Sequence, residues 1–169
     1  MEMILREIER ALDAQLYYPA VVMTLTLPDI CAALESPDGK TSGQKYKDWY
    51  NRYLAEVSPG MTDVDCYSLR CGVVHQGRVG HPNLRYSRIV FSLPQSAFRG
   101  SLVSGFNAGS DEVFLMLDAE QFCHAVMNQV RIWMEEKETD ATVKMNLPRL
   151  VQFRPNGLPP NIAGVPLIA

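Results

Sequence analysis

An arginine and a histidine, Arg70 and His75, lie five residues apart in the segment 69-LRCGVVHQGR-78, whose other residues are mostly small or apolar. A guanidinium group binds a phosphate through two oxygens, keeps its charge, and stabilises negative charge that grows in a transition state. Histidine titrates near neutrality and can donate or accept the proton that moves. The pair therefore suits phosphate chemistry.

Other kinds of site have little support in the sequence. The chain contains no G-x-S-x-G, no P-loop and no G-x-G-x-x-G, so these hydrolase and nucleotide-binding motifs are excluded. The cysteines form no C-x-x-C and no Cys/His pairing at zinc-finger spacing, so we interpret them as small apolar core residues. They are Cys31, Cys66, Cys71 and Cys123. We expect no metal site and no cofactor.

Local signals place the pair on one helix. Thr62 with Asp65 three residues later resembles a capping box, and Gly77 is a typical C-terminal stop. The predicted helix therefore runs from about residue 63 to residue 75 or 76. Five residues correspond to about 140° around a helix with 3.6 residues per turn, so the two side chains should flank a groove. Either Arg70 reaches along its helix towards the C-terminal end, or a second copy brings its own pair alongside.

The charge around the pair is uneven, although the whole chain has a net charge of −3. No Asp or Glu occurs from Cys66 to Ser110, a segment that holds five arginines. They are Arg70, Arg78, Arg85, Arg88 and Arg99. This asymmetry suggests an anionic ligand near the pair. The alternative is that these arginines pair with acids from elsewhere in the fold.

Hydrophobic periodicity predicts four more helices, over 2–16, 20–35, 44–57 and 119–139. Pro19 marks a break before the second of them, and Pro28 should kink that helix or restart it at Asp29. Aromatic residues of the third form a seam that is most simply core. Asp118 is the expected N-cap of the last helix.

Two short strand-like runs, 88–93 and 112–117, could pair as a hairpin across a polar 94–111 connection. The tail, 148–169, is rich in proline and irregular. The fold class that we predict is mainly α: a helical bundle of about five helices, with a small β-hairpin inserted after the fourth helix. With 169 residues, 1–169 is expected to be a single domain.

We expect a cytoplasmic protein with no membrane partner. The longest apolar run, 16–28, is too short to span a bilayer and contains two prolines. The segment 1–16 is amphipathic and rich in Glu, without the basic start and small-residue cleavage site of a signal peptide.

The segment that holds the pair resembles a known motif. An Arg, four intervening residues and a His followed closely by Gly is similar to the motif of the HEPN superfamily, in which four to six residues separate Arg from His. Arg70 and His75 match it, with Leu69 before the Arg and Gln76-Gly77 after the His. The likeness covers residues 69–78, and the order of predicted helices over 1–77 is compatible with it.

The resemblance implies an all-α bundle that dimerises with its motif helices near the two-fold axis, so that two Arg/His pairs form one site. Active members are metal-independent endoribonucleases, including toxins of toxin–antitoxin pairs. In them the His assists attack by the ribose 2′-hydroxyl on the adjacent phosphate, which the Arg holds. On this hypothesis Arg70 and His75 are catalytic. Arg78, Arg85 and Arg88 would then follow the backbone of a single RNA strand.

Three functions stay open. The first is a HEPN-like endoribonuclease that acts as a homodimer. The second is a non-catalytic HEPN-like module that binds RNA, a nucleotide, an antitoxin or another protein partner, since Cys71 stands where the family usually has a polar residue. The third is a plain helical assembly protein. In that case the apolar tail, 158–169, clasps another subunit. If Arg70 and His75 form no site at all, Arg70 satisfies buried carbonyls or an acid such as Glu9 or Asp48, and His75 caps its helix.

Overall fold

A computed structural model describes residues 1–80, 83–95, 100–105 and 112–169, the backbone alone for 101–105. The chain is mainly α, as predicted, with six α-helices in these ranges. The helices are α1 (Glu2–Asp13), α2 (Tyr17–Leu34), α3 (Gly43–Tyr53), α4 (Asp63–Gln76), α5 (Ala119–Glu136) and α6 (Ala141–Asn146). The strands are β1 (Arg88–Ser92), β2 (Ser101–Gly105), β3 (Val113–Asp118), β4 (Phe153–Arg154), β5 (Gly157–Leu158), β6 (Ile162–Ala163) and β7 (Leu167–Ile168).

Helix α2 lies at the centre and contacts α1, α3, α4 and α5. It begins before Pro19 and continues through Pro28, so the break and the restart that we expected at these prolines are wrong. Proline is tolerated in a first turn because the N–H there has no helical partner. Pro28 loses one internal hydrogen bond, but it is buried, and the packing around α2 holds the helix together.

The length and apolar composition of α2 would also allow it to cross a membrane. In this structure, however, 61% of that 18-residue stretch is buried inside the protein, as a core helix would be. This helix is therefore weak support for a membrane span.

The aromatic seam of α3 belongs to the core, as predicted. Tyr46, Trp49 and Tyr50 are almost fully buried. The Tyr46 hydroxyl donates to the carbonyl of Leu25 at 3.0 Å, and the Tyr50 hydroxyl donates to that of Met61 at 2.8 Å. These bonds satisfy the hydroxyl groups of the two tyrosines, which would otherwise be buried without a hydrogen-bond partner.

The predicted hairpin between runs 88–93 and 112–117 is wrong in direction. The runs do pair, as β1 and β3, but they are parallel, with Arg88 opposite Phe114 and Ser92 opposite Asp118. Strand β2, which we did not predict, pairs antiparallel with β3 and gives the order β1-β3-β2. Parallel neighbours need a long connection, and the chain between β1 and β3 supplies one. Much of the expected 94–111 connection lies outside the described residues.

The last part of the chain is more ordered than predicted. Asp118 caps α5 as expected, accepting from the N–H of Gln121 at 3.0 Å. After α6 come a short 3-10 turn and two small two-stranded sheets, β4 with β7 and β5 with β6. The Asn146 side chain donates to the carbonyls of Leu34 and Ser36 at 3.1 and 2.9 Å. It thereby fastens α6 to the end of α2.

Candidate active site

Helix α4 carries the Arg/His pair and begins and ends where the sequence predicts. At its start, the Thr62 hydroxyl accepts from the N–H of Asp65 at 3.2 Å, and the Asp65 carboxylate accepts from the N–H of Thr62 at 3.0 Å. These reciprocal bonds form the predicted capping box. At its end, Gly77 has φ 63°, a left-handed conformation that glycine adopts without strain.

A second glycine brings the next segment back across α4. The N–H of Arg78 donates to the carbonyl of Gly72 at 3.0 Å. A Cβ atom at Gly72 would lie only 2.8 Å from the backbone oxygen of Arg78. The turn after α4 can therefore close on the helix only because residue 72 has no side chain.

Arg70 forms an ion pair with Asp29 of α2, and its Nη2 lies 2.7 Å from Oδ2 of that carboxylate. Their side chains are only 18% and 11% exposed. The Thr41 hydroxyl donates to Oδ1 of Asp29 at 3.3 Å. Arg70 thus does pair with an acid, as the alternative to a functional site supposes. The acid is not one of the two that we named: Glu9 binds Arg131 and Asp48 binds Gln44.

Burial affects the two partners of this pair differently. Burial raises the pKa of the Asp29 carboxyl above its usual value, and the attraction of Arg70 only partly offsets that effect. Burial also disfavours the charge on Arg70, but Asp29 and Cys71 together outweigh that effect, so the pKa of the guanidinium is raised. The attraction of the Asp29 carboxylate partly neutralises the charge that Arg70 offers to a ligand.

His75 meets Arg70 within the same chain. Its side chain is exposed, and Nε2 lies 3.1 Å from Nη1 of Arg70. A guanidinium can only donate, so this hydrogen bond requires Nε2 to accept, with the ring proton on Nδ1. Arg70 reaches along its own helix to His75, which was the first of our two alternatives. The same Nη1 is 3.8 Å from Sγ of Cys71.

The other arginines of the basic segment differ in their binding partners. Arg85 binds the Asp65 carboxylate through Nε at 2.7 Å and its backbone N–H at 3.0 Å, and it also donates to the carbonyl of Gly60. Arg88 lies 3.9 Å from Glu112. Arg78 is exposed and has no ion pair with any residue that the structure describes.

Pairing with acids, the alternative explanation of the basic segment, thus holds for Arg70, Arg85 and Arg88. Arg99 lies outside the described residues. Among the described arginines of the basic segment, Arg78 is therefore the one that remains available, besides Arg70, to bind an anionic ligand.

The chain has two further histidines. His124 is exposed on α5, whereas His81 lies outside the described residues. Within the described ranges, no three His, Cys, Asp or Glu side chains cluster as a metal site would require.

Sequence reasoning did not find Asp29. A signal was present, because Asp29 is the single charged residue in the helix Tyr17–Leu34. An isolated acid in an apolar helix calls for a basic partner. The sequence does not say which of the arginines that partner is, since the contact joins residues 41 positions apart.

Comparisons with known proteins add no identification. No family model matches the chain, and neither the curated proteins nor the solved structures give a match. The case for a function therefore depends on the geometry around Arg70 and His75.

Proposed function

We propose that this protein is a HEPN-like, RNA-directed protein that cleaves RNA at Arg70 and His75 without a metal ion. One observation carries the proposal: Nη1 of Arg70 lies 3.1 Å from Nε2 of an exposed His75. A phosphate-binding group and a proton-transfer group thus lie side by side near the C-terminal end of α4. This is the arrangement that phosphodiester cleavage by a 2′-hydroxyl needs.

The proposed step begins when a phosphate oxygen of RNA replaces the imidazole as the acceptor for Nη1 of Arg70. Nε2 of His75 is then free to take the proton of the adjacent 2′-hydroxyl. The 2′-oxygen bonds to phosphorus, the bond to the 5′-oxygen breaks, and that oxygen takes a proton from water. The products are a 2′,3′-cyclic phosphate and a 5′-hydroxyl end. Arg70 stabilises the charge that builds up on the phosphate oxygens.

The experiment is RNA cleavage with a chelator present, comparing His75→Ala with His124→Ala. The two histidines are both exposed on helices, so the substitutions remove the same group at matched sites. Loss of a general base should lower the cleavage rate by about 100-fold or more for His75→Ala. His124→Ala should cleave like the unmodified protein. Equal rates for the two variants would refute the assignment of His75.

The resemblance extends the proposal to assembly and location. We propose a homodimer of helical bundles in the cytoplasm, with α4 of each subunit near the two-fold axis and with the region after α4 facing RNA. Arg78 would contact the RNA backbone beside the site, since it is exposed and not ion-paired among the described residues. An antitoxin or another protein partner would cover the same face.

A second candidate is a non-catalytic module that binds RNA or a nucleotide through the same groove. It is favoured by the ion pair with Asp29, which neutralises part of the charge that Arg70 offers to a phosphate. The chelator experiment separates the two candidates when RNA binding is measured alongside cleavage. Binding without cleavage, unchanged in His75→Ala, would support the second.

A further inference from the structure

We infer that Asp29 is a positioning residue for this site: it holds Arg70 so that the same guanidinium engages Nε2 of His75. The inference rests on the proposed function for its catalytic meaning, but the contact that it explains can be tested without RNA. Asp29 lies on α2, outside the segment 69–78 that resembles the HEPN motif.

The shape of the guanidinium links the two contacts. Its nitrogens lie in one rigid plane, so fixing one amino group fixes the direction of the other. Asp29 holds Nη2 at 2.7 Å, and His75 lies 3.1 Å from Nη1. Arg70 without Asp29 would be a long flexible side chain that loses rotamer entropy to stay near His75.

Asp29 is itself well placed to act as a fixed point. Its side chain is 11% exposed, and it lies in the interior of a helix that five other helices contact. The hydroxyl of Thr41 donates to the carboxylate oxygen that does not face Arg70. The carboxylate thus has a defined position before Arg70 or His75 is considered.

The consequence for His75 is a defined tautomer. As long as Arg70 donates to Nε2, the neutral imidazole carries its proton on Nδ1. The basic nitrogen is then the one that faces Arg70, where a bound phosphate would lie. Asp29 therefore selects which nitrogen of His75 can take the 2′-hydroxyl proton, although it touches neither His75 nor the substrate.

The test is the imidazole ¹⁵N spectrum of the full-length protein at a pH where histidine is neutral, with His124 in the same spectrum as the internal reference. The unmodified protein should show His75 with its proton on Nδ1. In Asp29→Asn this preference should be lost, and the His75 signals should move towards those of His124. Asp48→Asn is the matched control, since it makes the same substitution at an exposed carboxylate that accepts from Gln44, and it should keep the Nδ1 signature.

Arg70→Lys provides a second measurement in case Asp29→Asn does not fold. Its single ammonium keeps a positive charge beside Asp29 but has no second amino group fixed towards His75. It should lose the Nδ1 signature as well. Unchanged His75 signals in whichever of the two variants folds would overturn the inference.

RNA cleavage separates this inference from the proposed function. If both hold, Asp29→Asn should lower kcat by about tenfold to 100-fold, because the reacting groups are misplaced, and should change KM little. If the unmodified protein does not cleave RNA but its His75 signals respond to Asp29→Asn, then Asp29 positions the pair and the proposed function is wrong.

Discussion

At the scale of single residues, the central feature is a chain of three groups: a buried carboxylate, a half-buried guanidinium and an exposed imidazole. Asp29 and Arg70 are the least accessible members, and His75 faces solvent. Each contact restricts the next group, so the chemistry offered at His75 depends on a residue of another helix. A charge placed in the interior needs such a partner, or it shifts its pKa towards neutrality.

The Asp29–Arg70 pair gives a prediction about stability and pH. Arg70→Ala leaves Asp29 buried without its partner, which should cost about 2 kcal/mol of unfolding free energy at pH 7, below the range for fully buried pairs. Because burial already raises the pKa of Asp29, the lone carboxyl should take up a proton as the pH falls. The penalty should therefore be smaller at pH 4 than at pH 7.

Denaturant unfolding at the two pH values measures this difference. Arg10→Ala is the control, since Arg10 is 67% exposed and pairs with Glu7 on the surface of α1. Such a pair contributes about 0–1 kcal/mol, and its removal should change little at either pH. An Arg70→Ala penalty that grows on acidification would contradict the prediction.

At the scale of elements, Asp65 ties the start of α4 to the segment that leads into β1. Its carboxylate is fully buried and receives the N–H groups of Thr62 and Arg85 as well as the guanidinium of Arg85. Burial alone would raise the pKa of Asp65, but these donors outweigh it and hold the pKa below its usual value. Arg85 is therefore a structural residue here, and the Asp65 carboxylate largely neutralises its charge.

Asp65→Ala should destabilise the protein by about 3 kcal/mol, because it removes the cap and leaves several donors unmet. Since the folded-state pKa is lowered, the contribution of Asp65 is present above the unfolded-state pKa and is lost as the pH falls through the folded-state value. Asp63→Ala, in the same first turn, is the matched control and should cost less than about 1 kcal/mol. Thermal unfolding between pH 3 and pH 7 would check both statements.

Elements were predictable from the sequence to the extent that local contacts define them. The capping box at Thr62, the stop at Gly77 and the cap at Asp118 each involve residues within six positions of one another, and all three are confirmed. The direction of the β1–β3 pair was not predictable, because it depends on a third strand, β2, which pairs with the other edge of β3. The partner of Arg70 was missed for the same reason, since packing between α2 and α4 brings Asp29 to it.

At the scale of the whole molecule, the decisive question is whether the proposed homodimer would form one site from two chains or two separate pairs. The HEPN resemblance implies two pairs near one axis, whereas Arg70 and His75 already meet at 3.1 Å within a single chain. We therefore expect each chain to supply its own complete pair. The two-fold axis would bring the pairs together without exchanging their members.

Mixing inactive variants distinguishes these arrangements. Arg70→Ala and His75→Ala subunits, unfolded and refolded together, give mixed dimers with one intact Arg70 and one intact His75 on different chains. If each pair works within its own chain, the mixture should stay as inactive as either variant alone. Refolding the unmodified protein with an excess of the double variant should instead retain activity in proportion to the unmodified subunits, because the mixed dimers keep one complete pair. Recovery of cleavage in the first mixture would show that the working pair spans the two subunits, and that the contact within one chain is a resting arrangement.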